Sequence, residues 1–270
     1  MGFFQSGGIL NRKGLFGGAA KAFLPSDISG LQLWLDATTG LFDATSGGSA
    51  VTTDGSAVAR WEDQSGNARN VEQSVVNDRP ILKTSIQNSK NVLRFDGTSD
   101  YFRLDSAFMF SAGACSVFIV VSLNGSAQAA RRLISEGSST SNNPIYAVIQ
   151  SKSDEGDKLA PFFRNDSGTI ILDQTTSYGT AFTSEFKIVG VIDSGSNYKS
   201  CINGSTINNN NYTRSGTFTL NRFSIGCLLR GSAGNFFPMN LGEVLIYNSA
   251  LSDSNITNVF NYLNTKWAVY

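Results

Sequence analysis

The chain contains no histidine. That removes the side chain that titrates near neutrality, the commonest zinc ligand and the middle member of a Ser-His-Asp triad, so any acid–base chemistry would fall to carboxylates. Cysteine is nearly as scarce. Cys115, Cys201 and Cys227 are odd in number and too widely spaced for a disulfide framework or a zinc site. Two of them sit in strand-like runs, where a thiol packs as a small hydrophobe, and the set suits folding in a reducing cytoplasm. Charge is thin and balanced: charged residues make up 16% of the chain, with 21 basic against 21 acidic side chains. A phosphate backbone would meet no broad cationic surface, so nucleic acid is not an expected partner. Long apolar runs are missing as well. The continuous stretch at residues 116–122 is far too short to span a bilayer, and no membrane partner is expected.

What is present in quantity is glycine, 27 residues against five prolines, a balance that describes many short strands joined by turns with little helix. At 270 residues the chain suits one large β domain with an appendage, and a body of that size buries roughly 75% of its unfolded surface without needing a staple. The appendage is residues 1–26. There Phe3, Phe4, Ile9, Leu10, Leu15 and Phe16 are spaced among glycines, and Arg12 and Lys13 interrupt the apolar pieces. A secretory signal would carry its charge first and an unbroken apolar stretch after it. Dense glycine disfavours a helix, and repeated Phe and Leu are costly to leave in water. The segment is therefore expected to be an extended arm that docks on something else through Phe3, Phe4, Ile9, Leu10, Arg12, Lys13, Leu15 and Phe16. Fully stretched, it would reach up to roughly 85 Å.

From Leu31 the pattern is β. Residues 31–36 alternate with period two, residues 58–63 form a second short strand, and residues 91–96 and 100–104 flank Gly97-Thr98-Ser99 as a hairpin or tight corner. The apolar run at 116–122 marks a strand covered on both sides. Further strands are expected at 132–135, 145–150, 159–164, 169–173, 185–192, 198–203, 223–228 and 241–247, with residues 208–211 as a polar tip. One helix is expected near the end. Ser252 can cap it, Asp253 favours its first turn, and Ile256, Val259, Phe260, Leu263 and Trp267 form one apolar stripe.

Several pieces, taken in order, carry a resemblance. They are Leu33-Trp34-Leu35-Asp36-Ala37, Trp61-Glu62-Asp63-Gln64-Ser65-Gly66-Asn67, Arg79-Pro80, Val92-Leu93-Arg94-Phe95-Asp96-Gly97, and Gly242-Glu243-Val244-Leu245-Ile246-Tyr247-Asn248 followed by Leu251-Ser252-Asp253. Over about residues 30–268 the chain resembles the concanavalin A-like lectin/glucanase superfamily, in its laminin G-like branch. The resemblance implies an all-β, two-sheet antiparallel jelly-roll sandwich at residues 27–270, with a short C-terminal helix and ligand sites on the concave face or rim loops. The arm, running through Asn-Arg-Lys-Gly towards Leu-Trp-Leu-Asp-Ala, is similar to the openings of tailed-phage structural proteins that carry this sandwich.

Catalysis is not expected. Glycosidases of this superfamily place two or three acids at alternate positions of one strand, and no Glu-x-Asp-x-x-Glu run occurs here; Glu243 stands alone in an apolar strand. No cofactor is implied, although Asp63, Asp96 and Asp100, with Asp36, offer hard oxygen ligands of the kind Ca²⁺ takes from loops. Among the aromatic residues near loops and strands, Trp61, Tyr178 and Tyr212 are the expected sugar-stacking candidates. The sequence thus points to a non-enzymatic phage virion protein assembled in the host cytoplasm, either a capsid decoration or a tail or fibre component. Its expected partners are other virion proteins, further copies of itself and host-surface polysaccharide. The alternatives are a soluble lectin or adhesin and, third, a glycoside hydrolase with an unfamiliar acidic pair.

Overall fold

The computed structural model describes residues 21–173 and 175–270, together with Gly2. In chain order its strands are β1 (Leu31–Asp36), β2 (Leu41–Phe42), β3 (Arg60–Trp61), β4 (Val71–Glu72), β5 (Ile81–Gln87), β6 (Lys90–Asp96), β7 (Phe102–Leu104), β8 (Cys115–Leu123), β9 (Arg132–Gly137) and β10 (Ile145–Gln150). There follow β11 (Phe162–Arg164), β12 (Ile170–Leu172), β13 (Lys187–Asp193), β14 (Asn197–Ile202), β15 (Ser205–Asn211), β16 (Arg222–Ile225), β17 (Leu228–Leu229), β18 (Ala233–Gly234) and β19 (Pro238–Tyr247), then helix α1 (Asp253–Trp267). Two antiparallel sheets form a sandwich of jelly-roll type. One runs β15-β14-β13-β8-β19-β6-β5, with β1 also on β19; the other runs β12-β11-β10-β9-β16-β7-β4-β3-β2.

The chain forms three layers because the eight-stranded sheet is covered twice. Along β8, Val117, Ile119 and Val121 enter the core between the sheets, whereas Phe118 and Val120 pack beneath α1. Every residue of β8 is buried, and this is why the strand shows an unbroken apolar run rather than alternation. On α1 the stripe Ile256, Val259, Phe260, Leu263 and Trp267 is buried as expected, and Ser252 accepts the Asn255 N–H at its start. Glycine sets how closely the helix sits. A Cβ at Gly242 would lie 2.8 Å from the Trp267 ring, and one at Gly190 would lie 3.0 Å from Phe118 and Phe260.

Residues 96–101 are a corner rather than a hairpin. β6 belongs to the eight-stranded sheet and β7 to the other, so the turn hands the chain across the sandwich. Asp96 holds the corner by accepting the backbone N–H groups of Thr98, Ser99 and Asp100, while Asp100 accepts that of Asp96. Several strands depart from expectation, among them the short β2, β4 and β18, which were not expected. Ile81–Gln87 forms β5 although its sequence does not alternate, and the expected polar tip lies within β15, an edge strand in which Asn209 and Asn211 are exposed while Asn208 and Asn210 are half-buried. The strand expected at 58–63 narrows to Arg60–Trp61.

The anchoring residues Phe3, Phe4, Ile9, Leu10, Arg12, Lys13, Leu15 and Phe16 lie outside the described residues. The last part of the 1–26 segment lies against the body: Phe23 meets the edge of the Tyr262 ring, and Tyr247 donates to the Pro25 carbonyl at 3.1 Å.

Candidate functional site

The rings expected to stack on sugar are packing residues. Trp61 is fully buried, touches Phe102 and donates its indole N–H to the Asp36 carbonyl at 3.0 Å. Tyr178 is 2% exposed and sits edge-on to Tyr198. Tyr212 is half-buried, and its hydroxyl donates to Asp193 at 2.6 Å while accepting from Arg214. Trp61 is a strand residue turned into the core, whereas Tyr178 and Tyr212 come from loops that fold back onto the sandwich and are held there by ring packing and by Asp193.

The expected calcium ligands are likewise engaged in turns. Asp96 and Asp100 share the corner, but Asp63 lies in another loop, where it accepts the N–H groups of Trp34, Ser65 and Arg69. Among the described residues, no group of three His, Cys, Asp or Glu side chains gathers into a metal-holding cluster. At the corner, burial and the neighbouring Asp96 charge push the Asp100 carboxyl up to about 7. For Asp96, burial works in the same direction, but hydrogen bonds from Ser99, Thr98 and Asp100 outweigh it and hold the group at about 2.

Folding does bring two carboxylates together. Asp36 and Glu243 are partners across β1 and β19, and both meet Lys266 from the last turn of α1. Scanning single strands for acid pairs misses them because they lie on different strands. Glu243 is fully buried and accepts from Trp34 (2.8 Å), Tyr262 (3.0 Å), Trp267 (2.7 Å) and Lys266 (2.7 Å). Burial raises its pKa, Lys266 opposes the rise and Asp36 adds to it. A groove of about 530 Å³ between residues 22–24 and α1 is lined by Tyr262 and Lys266, but not by either carboxylate. Two other buried acids are similarly occupied. Glu136 accepts the N–H groups of Phe108, Met109 and Phe110, and Asp193 is held by Tyr146, Tyr212 and Arg214.

The outer face of the nine-stranded sheet is different in kind. Phe102, Phe223, Tyr146 and Phe163 point into the core between the sheets. Their neighbours alternate outward in two registered rows, Arg103-Ser224-Ser135-Ala147-Phe162 and Arg222-Gly137-Ile145-Arg164-Ile170. The β17–β18 hairpin folds over the middle of this face. The Cys227 carbonyl accepts from Ser135 at 2.9 Å and from Ser224 at 2.8 Å, and Leu228 closes a small cluster with Ile145, Ala147 and Phe162. Only glycine fits at position 137, where a Cβ would come within 2.3 Å of the Leu229 carbonyl.

Beside the hairpin, arginines gather around Phe162. The guanidinium carbons of Arg132 and Arg164 each lie 5.8 Å from the Phe162 ring centre. Arg164 donates to the carbonyls of Asn143 (2.7 Å) and Asn142 (2.6 Å), and Arg230 donates to the same Asn142 carbonyl (2.9 Å). Burial and the charges of Arg230, Arg164 and Arg131 bring Arg132 down to about 10. Arg132 is 6% exposed, and its Nε is buried without a hydrogen-bond partner. Among the described residues no carboxylate forms an ion pair with Arg131, Arg132, Arg164 or Arg230. The alternation Phe162-Phe163-Arg164 places Arg164 on the same face as Phe162, but nothing in the sequence joins it to Arg132 or Arg230, which reach it through sheet register and the hairpin.

Solved structures share this architecture. A Trypanosoma rangeli sialidase in complex with sialic acid aligns over 88% of this chain and 33% of its own, with a TM-score of 0.58 at 15% identity. A mutant of that sialidase displaying trans-sialidase activity aligns over 89% of this chain and 34% of its own, with a TM-score of 0.54 at 16% identity. The receptor binding domain of botulinum neurotoxin type G aligns over 87% of this chain and 51% of its own, with a TM-score of 0.56 at 12% identity. The chain thus spans about a third of the sialidases and half of the toxin domain, and the likeness is one of fold. A search of curated protein sequences gave no match. The family profile of the concanavalin A-like lectin/glucanases superfamily matches residues 96–257, more than half of the sequence, and the chain belongs to that superfamily.

Proposed function

We propose that this protein recognises glycans without cleaving them, and that it does so as a structural component of a phage particle. The observation that carries the recognition reading is the contrast between two kinds of surface. The buried carboxylates Glu243, Glu136 and Asp193 already accept several fixed donors each, whereas the outer face of the nine-stranded sheet carries arginines with no acidic partner. An acid that cleaves sugar must reach the glycosidic oxygen, and one filled with protein donors beneath a helix is poorly placed to do so. The superfamily, together with structural neighbours that include a sialidase in complex with sialic acid and a toxin receptor binding domain, supports carbohydrate as the ligand.

The particle reading rests on the opening segment. Its Gly/Phe composition and Asn-Arg-Lys-Gly stretch suit an anchor for residues 1–26 on capsid or tail proteins, with the sandwich displayed towards host-surface polysaccharide and copies arranged by the particle's symmetry. Assembly would take place in the host cytoplasm. A glycan array read alongside a hydrolysis assay tests the first reading: bound but uncleaved glycan is expected, and an array with no bound glycan overturns it. Deleting residues 1–20 tests the second. The shortened chain should melt as the full chain does and fail to enter particles; unchanged incorporation defeats the anchor.

A further inference from the structure

We infer that the arginine cluster on the outer face of the nine-stranded sheet binds the carboxylate or sulfate of an acidic polysaccharide; the polysaccharide part of this inference rests on the glycan-binding reading above. The backbone carbonyls of Asn142 and Asn143 meet the hydrogen-bonding needs of Arg164 and Arg230, yet they leave the positive charge uncompensated. Arg132 and Arg164 are held against one ring, Arg230 shares the Asn142 carbonyl with Arg164, and their like charges repel; Arg132, almost wholly buried, has no carboxylate to offset its desolvation. An oxyanion seated between Arg164 and Arg230 would relieve that repulsion, with Arg132 adding charge from below. Partly exposed guanidinium groups suit a planar carboxylate or a sulfate through paired N–H donors.

A sugar rather than a bare anion is favoured by what stands next to the charge. Ile170, 53% exposed, is the cross-strand partner of Arg164 and offers an apolar shoulder to the C–H face of a ring whose carboxylate lies on the arginine. Nucleic acid is disfavoured. The charge is gathered at one point and the chain as a whole has a net charge of zero, whereas a phosphate backbone needs a cationic track.

Isothermal titration calorimetry of the full chain tests this with six probes: oligogalacturonate, its methyl ester, dextran sulfate, dextran, sodium sulfate and oligothymidylate. At least one of the two acidic chains should bind, at least tenfold more tightly than its neutral counterpart, and should weaken as salt is added. Arg164→Gln/Arg230→Gln should lower that affinity at least tenfold, while Lys90→Gln/Lys187→Gln, on the other sheet, leaves it unchanged. If the arginine variant does not fold, the melting temperature of the native chain should still rise with the acidic chain and not with its neutral counterpart. Binding of neither acidic chain overturns the inference, and if the glycan array still shows neutral ligands the recognition reading survives it. Sulfate ion bound as tightly as the polymer contradicts the sugar assignment, and oligothymidylate bound more tightly than either acidic chain points to nucleic acid and overturns it too.

Discussion

Asp36 and Glu243 face each other across β1 and β19, and both close on the Lys266 ammonium, at 2.5 and 2.7 Å. The lysine comes from the last turn of α1, where a cation also complements the helix dipole. Trp34, Trp267 and Tyr262 supply the remaining donors to Glu243, so the acid pair ties the helix to the sheet.

Removing the cation should therefore expose the cost of the pair. Lys266→Met leaves two facing carboxylates without their shared counter-charge, and a loss of about 3 kcal/mol is expected in urea unfolding at neutral pH. The loss should shrink at acid pH, where Glu243, whose pKa is raised by burial, takes up a proton. Adding Glu243→Gln to Lys266→Met should recover part of it. A Lys266→Met protein as stable as the original would show that the clamp contributes nothing.

The corner acids should pull stability in opposite directions with pH. Asp100 holds its proton up to about 7 in the fold, above the value of an unfolded carboxyl, so its contribution is intact in acid and is lost as pH rises through about 7. Asp96 is depressed to about 2, so its contribution is present above the unfolded value and lost as pH falls towards 2. Asp100→Asn keeps an oxygen for the Asp96 N–H and should flatten the decline in stability between about pH 4 and about 7, measured as urea midpoints. An unchanged decline would remove Asp100 as its source.

Helix docking should tolerate no side chain at its two closest points. Gly242→Val and Gly190→Val drive a side chain into Trp267 and into Phe118 and Phe260, so each should cost about 1–3 kcal/mol through overpacking. Thermal melts of both variants check this. A neutral substitution at either position would mean that α1 moves freely over the sheet.

How much of this was legible in the sequence depended on whether the signal was local. The α1 stripe was visible because its buried residues recur three or four positions apart, and the β8 run because every residue in it is buried. β5 escaped because Ile81–Gln87 lies partly exposed and carries no clean alternation, and β15 because asparagines on an edge strand look like a turn. Trp61, Tyr178 and Tyr212 are packing residues for a related reason: the face a strand aromatic such as Trp61 shows is known only from sheet register, and loop rings such as Tyr178 and Tyr212 turn inward only through contacts far along the chain. The Asp36–Glu243 pair and the cluster of Arg132, Arg164 and Arg230 were invisible, since each is assembled from strands and a hairpin far apart in the chain.

Recognition without cleavage is tested most directly by incubating the full chain with a glycan it retains on an array and following both bound ligand and newly formed chain ends. Saturable binding with no new ends, in the original protein and in Glu243→Gln alike, is the predicted result. New ends that appear with the original protein and vanish in Glu243→Gln, while binding persists, would contradict it and make the buried acid pair a catalytic one.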